Sequence, residues 1–477
     1  MANIFSTSAL RSLLLITGLF CLSLGGYAQK KPRKDTTQSV AAPLIIPDTS
    51  KTNLLLPVTV KDTGKNGSGE YLTLQQCIDY AMKHQPGLNV SIINIDVAKT
   101  TNAINLAGAL PQVNASGDLI HNIQLAKNSS NPNYAPYVNT FVPGITVTQS
   151  IFNPSLLYAY KSAPLYIKQS QQANDSTKIG VVSSVSKSFY TLLLTLEQIN
   201  VLKGDTAEFG KNLRDAYHQY KGGIVDETDY EQAQITLNNT VAQLKQANEN
   251  VIPQYATLKQ FMGFPPEKQF NVVFDTTEMM KSIHIDTTEQ LQFEKRVEFQ
   301  LLNTDKDLQM QLVNYYHYSW LPTISAMFDY NVNFQNTQNN PFLGASYPTS
   351  LIGLSFSIPI FTGFSRLNNL HKAKLQEQIL DWNQTDLKSQ IYTQYTTALA
   401  NYKGNYFNLL LLQKNVALSR RVYFVVELQY KQGIVPYLNV ITAQSNLITS
   451  EINYLNALFN VLSNKIDLEK AMGNISY

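Results

Sequence analysis

The stretch QVNASGDLIHNIQL, Gln112 to Leu125, sorts its side chains by parity. Val113, Ala115, Gly117, Leu119, Ile123 and Leu125 share one face of a strand, and Gln112, Asn114, Ser116, Asp118, Asn122 and Gln124 share the other. After a polar, Pro-rich loop at 127–137 the pattern returns through Phe141, Ile145, Val147 and Ile151. A second pair follows: Ile324, Ala326, Phe328, Tyr330, Val332 and Phe334 alternate with polar residues, and Ile352, Leu354, Phe356, Ile358 and Ile360 lead back. Between Trp320 and Gly363 the only charged side chain is Asp329. Half-buried soluble strands also alternate. These runs, however, are at least ten residues long, enough to cross a bilayer when tilted. Four strands cannot close a barrel, and lipid tolerates no open sheet edge. A chain of this kind must therefore pool its strands with other copies; a dimer, a trimer or a tetramer would each give an even count.

Each hairpin, 111–152 and 322–361, precedes a long helical segment, Ser155 to Tyr220 and Phe364 to Tyr430. Either would span roughly 100 Å if fully helical, a length that calls for a coiled-coil partner. Pro164 and Pro253 are expected to bend or delay a helix. Beyond the first long segment, Tyr230, Ala233, Leu237, Val241, Leu244, Ala247, Val251, Tyr255, Leu258 and Met262 advance by threes and fours, the stripe of a helix packed along its whole length.

The halves also share a motif. YKGGIVDETDYEQAQ (Tyr220 to Gln234) and YKQGIVPYLNVITAQ (Tyr430 to Gln444) stand 210 residues apart and agree at 7 of 15 positions. The same offset relates LKQFMG at Leu258 to LEKAMG at Leu468. In each copy a glycine, Gly223 or Gly433, closes one helix, and Asp226 or Pro436 opens the next. The motif reads as a helix–turn–helix tip, far from the strands. The expected organisation is a first repeat at 70–264, a short equatorial segment at 265–286 and a second repeat at 287–477.

Residues 1–28 read as a secretory signal, with Arg11, an apolar stretch Leu13 to Leu24 and small residues ending at Ala28. Residues 29–69 read as a flexible periplasmic leader. Outside the signal no apolar run looks long enough for a membrane helix, and Cys77 is the single cysteine left. Charged residues make up 15% of the chain and the net charge is +3 without a basic cluster, so no nucleic-acid partner is implied. The six histidines form no ligand pair at helical spacing, Met279-Met280 alone makes no copper site, and no nucleophile–base signature is present. No cofactor, metal or enzymatic activity is expected.

The order helix, LPQV, hairpin, IFNPS, long helix, YKGGIVDETD, helix resembles the outer-membrane efflux protein family typified by TolC. So does the second half, with LPTIS, IPIFTGFSR, a long helix and YKQGIV. The resemblance covers about Tyr71 to Gly473. It implies a mixed α/β membrane protein: a homotrimer whose four strands per subunit form a twelve-stranded β-barrel in outer-membrane lipid, continued by an α-helical coiled-coil tunnel through the periplasm. It implies a passive export channel that partners a periplasmic adaptor (membrane fusion) protein and an inner-membrane pump of RND, ABC or MFS type. By the same resemblance Asp229 and Tyr430 form the gate, while Gly223, Ile224, Val225, Gly433, Ile434 and Val435 form the adaptor-docking tips. Val435 stands where some members carry an arginine, and Asn439 and Thr442 replace two aspartates of a cation-binding ring. Asp226, Glu227 and Glu231 could supply negative charge to the mouth instead, or simply complement a helix N-terminus. A non-conducting stalk or adhesin anchored by the strands is the alternative.

Overall fold

The computed structural model describes residues 70–124, 137–273, 283, 285, 290–336 and 345–477. The expected signal and leader and Met279-Met280 lie outside the described residues. The described residues form β1 (Glu70–Leu72), α1 (Leu74–His84), α2 (Pro86–Ala107), β2 (Gln112–His121), β3 (Asn139–Phe152), α3 (Pro154–Lys221), α4 (Glu227–Met262), β4 (Phe270–Val272), α5 (Val297–Tyr318), β5 (Thr323–Asn336), β6 (Ala345–Ser357), α6 (Ser365–Lys431) and α7 (Tyr437–Met472).

Local chemistry sets the helix starts. Thr73 and Gln76 form a reciprocal capping box at α1. Pro86 and Pro154 occupy first-turn positions of α2 and α3, where a missing N–H costs nothing. The two longest helices, α3 and α6, hold 68 and 67 residues. Pro164 and Pro253 do not interrupt α3 or α4: both helices run through them. Each removes one backbone donor, a local cost of about 3 kcal/mol that a helix packed over many turns absorbs.

Strands β2, β3, β5 and β6 form one antiparallel sheet in that order. Its register carries the two-residue alternation across all four strands. Val113 pairs with Val147, Val147 with Phe328 and Phe328 with Ile352, which makes one apolar face. Asn114, Thr146, Asp329 and Leu351 run across the other, on which the Thr146 hydroxyl donates to Asp329 at 2.5 Å. The apolar face is bare, with Ile352 83% and Leu354 74% exposed. The outer edges of β2 and β6 pair with no described strand.

Away from the sheet, α3 and α4 form one antiparallel helical hairpin and α6 and α7 another, joined through α3 against α7. Val185, Leu192 and Leu193 of α3, Leu258 and Met262 of α4, Leu409 of α6 and Val461, Leu462 and Leu468 of α7 share one core. Cys77 of α1 is fully enclosed there, and burial pushes its thiol up to about 12. The strands β1 and β4 pair in parallel beside it, and the Tyr402 hydroxyl donates to the Ile283 carbonyl at 2.8 Å. This core corrects one expectation: α3 is by length and composition apolar enough to cross a membrane. Its apolar run is explained by the several helices around it. The α4 stripe is also less complete than its spacing predicts. Ala233, Leu258 and Met262 are buried and Leu237, Leu244 and Ala247 half-buried, but Val241 is 45% exposed, at a point that no described element covers. At the end of α5 the Tyr315 ring lies tilted against Tyr158 of α3 at 5.5 Å, whereas Trp320 just beyond the helix is exposed.

Two glycines of the repeated segments separate conformation from packing. Gly223 has φ +70° and open space where a Cβ would stand, whereas Gly263 has φ +68° and the His84 carbonyl 2.5 Å from that point. Gly223→Ala should cost about 1 kcal/mol for its left-handed backbone, and Gly263→Ala about 2–3 kcal/mol because the α1 terminus must also move. Denaturant midpoints in detergent will rank the two; equal values would mean the close approach at Gly263 carries no weight.

Candidate functional site at the helix tips

Both long helices end in the same way. The Gly223 N–H donates to Tyr220 O at 3.0 Å and the Ile224 N–H to Gln219 O at 2.9 Å; 210 residues on, Gly433 bonds Tyr430 at 2.8 Å and Ile434 bonds Gln429 at 2.9 Å. These paired bonds make a Schellman closure, which requires a left-handed residue, and both glycines supply it at φ +70° and +71°. The following helices start at Glu227 and Tyr437. Asp226 holds the N-cap position of α4, but its side chain makes no capping bond, contrary to its expected role; Glu227 and Asp229 add negative charge to that first turn.

The closures leave Ile224 and Ile434 75% and 69% exposed at the ends of the two hairpins. Val225 and Val435 beside them are half-buried, and Gly223, Gly433, Asp226, Glu227 and Glu231 are exposed. Behind them Ala216 of α3, Ala233 of α4, Tyr423 of α6 and Tyr437, Val440, Ile441 and Ala443 of α7 form a small core, with Tyr430 against it. This core joins the tips of the two hairpins.

Tyr430 is the polar link across it. Its hydroxyl donates to Gln219 Oε1 at 2.5 Å, and its ring lies 5.3 Å from that of Tyr437. Asp229 is half-buried and accepts no bond from Tyr430; its influence is electrostatic. Burial, then the neighbouring Asp226, raises the Asp229 carboxyl above its ordinary value. Burial, then Asp229, raises the Tyr430 phenol, so it stays a hydrogen-bond donor throughout the physiological range. The structure thus brings Asp229 and Tyr430 to one junction but gives the direct bond to Gln219. Sequence reasoning passed over Gln219, although the signal was present: Gln219-Tyr220-Lys221 and Gln429-Tyr430-Lys431 repeat one residue ahead of the quoted motif. Asn439 and Thr442 are exposed, and the Thr442 hydroxyl is spent on the Leu438 carbonyl at 2.8 Å. Among the described residues no group of three or more His, Cys, Asp or Glu is placed to hold a metal ion.

A strand sheet with a bare apolar face, carried on paired helices of roughly 100 Å that end in closed tips, is the build of a channel-type outer-membrane protein. The chain belongs to the outer membrane efflux protein family, whose model matches residues 77–264 and 311–474. It is 19% identical over 409 residues to the outer membrane protein TolC of Vibrio cholerae, covering 84% of this chain and 91% of that one. It is likewise 19% identical to the toluene efflux pump outer membrane protein TtgC of Pseudomonas putida, over 84% of this chain and 82% of the relative. Among solved structures, the CmeC outer membrane channel of Campylobacter jejuni superimposes with a TM-score of 0.70 at 20% identity, covering 84% of this chain and 85% of that one. The protein is an outer-membrane protein that extends into the periplasm.

Proposed function

We propose that this chain forms the passive exit duct of a tripartite efflux or type I secretion system, as a homotrimer closed at its periplasmic end. The observation that carries the reading is the sheet: one face apolar and exposed, the other polar, and both outer edges without a described partner. An unpaired edge in lipid costs several kcal/mol per backbone group, so the strands must close with those of other copies. Three copies would make a twelve-stranded barrel with a polar lumen, and the helical hairpins would continue it as a tunnel. The exposed Val241 on α4 fits a face that a neighbouring subunit covers.

The energy for export would come from an inner-membrane pump of RND, ABC or MFS type, linked by a periplasmic adaptor. Ile224 and Ile434, exposed on rigid turns at the far end of the hairpins, are the surfaces offered to that adaptor. Asp229, Tyr430 and Gln219 close the mouth, with Asp226, Glu227 and Glu231 lending it negative charge.

Mass measurement in detergent and single-channel recording in planar bilayers test this together. A trimer that conducts in its tip-loosened form is expected. A trimer that never passes current would favour the anchored stalk, and a monomer soluble without detergent would remove the membrane reading altogether.

A further inference from the structure

The junction between the hairpins does not end at the tip. Going up α3, Gln219 bonds Tyr430 of α6, Asn212 donates to Gln444 of α7 at 3.2 Å, and Glu208 accepts from Tyr423 of α6. Gln219 and Glu208 lie roughly 16 Å apart along the helix axis. Tyr423 and Tyr430 are two turns apart on α6 and so face the same way. These bonds form a polar seam between the two hairpins of one chain.

One turn above Glu208 the seam loses its complementarity. Asp205 buries its Oδ2 without a hydrogen-bond partner. The charges acting on it are Glu208 of its own helix and Glu451 of α7. Groups that could relieve it are engaged elsewhere. Arg420 of α6 binds Glu451 at 2.6 Å, and Tyr423 of α6 donates to Glu208. An ionised Asp205 thus feels two carboxylates with one oxygen shut away from water, an arrangement whose cost falls on the closed seam.

We infer that Asp205 is a proton-operated latch on this seam: protonated, it lets α3 close against α6 and α7; ionised, its repulsion from Glu208 and Glu451 loosens the hairpins and favours an open periplasmic end. Burial first, then Glu451 and Glu208, raise the Asp205 carboxyl to about 7, which sets the latch at neutral pH. The sign follows from proton linkage. The closed form holds the proton more tightly than an opened form in which water reaches Asp205. The open-to-closed ratio therefore rises with pH from the ordinary carboxylate range to about 7 and levels off above it, by at most about tenfold per pH unit. Asp229 at the tip is raised in the same direction, so the two carboxylates must be separated by substitution.

The part of this that concerns gating rests on the duct reading, whereas the separation of the hairpins does not. Spin labels at Ile224→Cys and Ile434→Cys, in full-length protein carrying Cys77→Ser, report the tip distance by pulsed electron paramagnetic resonance. The longer-distance population is expected to grow up to about tenfold between pH 6 and 8. Asp205→Asn should stay in the short-distance state throughout. Glu451→Gln removes a carboxylate that raises Asp205 and leaves Arg420 unpaired beside it, so the pH at which the response levels off should fall; a response that levels off at the parent pH or higher counts against the latch. An unchanged pH response in Asp205→Asn, or none in the parent, overturns the proposal. Labels that move with pH while bilayers carry no current would keep the latch and discard the duct.

Discussion

Loosening the tip junction with Tyr430→Phe, Gln219→Ala and Asp229→Ala together should raise the open probability of the channel about a hundredfold. The Tyr430 hydroxyl and Gln219 carbonyl oxygen make the direct bond between α3 and α6 at the tip, and Asp229 polarises the same junction. A hydrogen bond of this kind contributes about 1 kcal/mol net. Where three subunits open in concert, the loss is about 3 kcal/mol, two orders of magnitude in the equilibrium. Removing both partners also leaves no orphaned acceptor to complicate the result. Tyr430→Phe alone should give a smaller increase, because Gln219 can turn to water. Bilayer recording that finds triple variant and parent alike would mean that closure is held elsewhere.

Arg296→Ala should be the most damaging single substitution away from the hydrophobic core, at about 3–5 kcal/mol. Arg296 stands at the start of α5 and is 4% exposed. Its Nε and Nη2 hold the Glu298 carboxylate at 3.0 and 3.2 Å, Nη2 also reaches Gln394 of α6 at 3.0 Å, and Nη1 donates to the Ala471 carbonyl at 3.0 Å. That carbonyl belongs to the last turn of α7, where helix carbonyls lack intrahelical donors and a cation is favoured. One guanidinium therefore ties α5, α6 and α7 together. Arg296→Lys should recover only part of the loss, since an ammonium cannot reproduce the fork. The unfolding midpoint in detergent measures both; a parent-like midpoint for Arg296→Ala would show that the site is not a structural tie.

Much of the membrane end was legible in the sequence. Alternation with a period of two reports which face a strand buries, and the observed register keeps Val113, Val147, Phe328 and Ile352 on one face. The tips were legible too, because a left-handed helix closure leaves a glycine at a fixed place, and Gly223 and Gly433 are both there. The tip bond was only half legible. Tyr430 could be singled out, and the repeated Gln-Tyr-Lys marks Gln219 as part of a tip, yet no local pattern encodes that the two, 211 residues apart, bond across helices. Arg296 and Asp205 were not legible at all, for a similar reason. An arginine before a helix, or an aspartate within one, reads as surface until other chain segments arrive to bury it.

Local backbone chemistry and side-chain periodicity thus sufficed for the strands, the long helices, their turns and the membrane end, because each depends on neighbours a few residues away. The partners across the seam, the solvent exclusion around Asp205 and the four-way grip of Arg296 came only with the packed chain. Burial and hydrogen-bond geometry there are set by which distant helices meet, and that is a property of the three-dimensional arrangement.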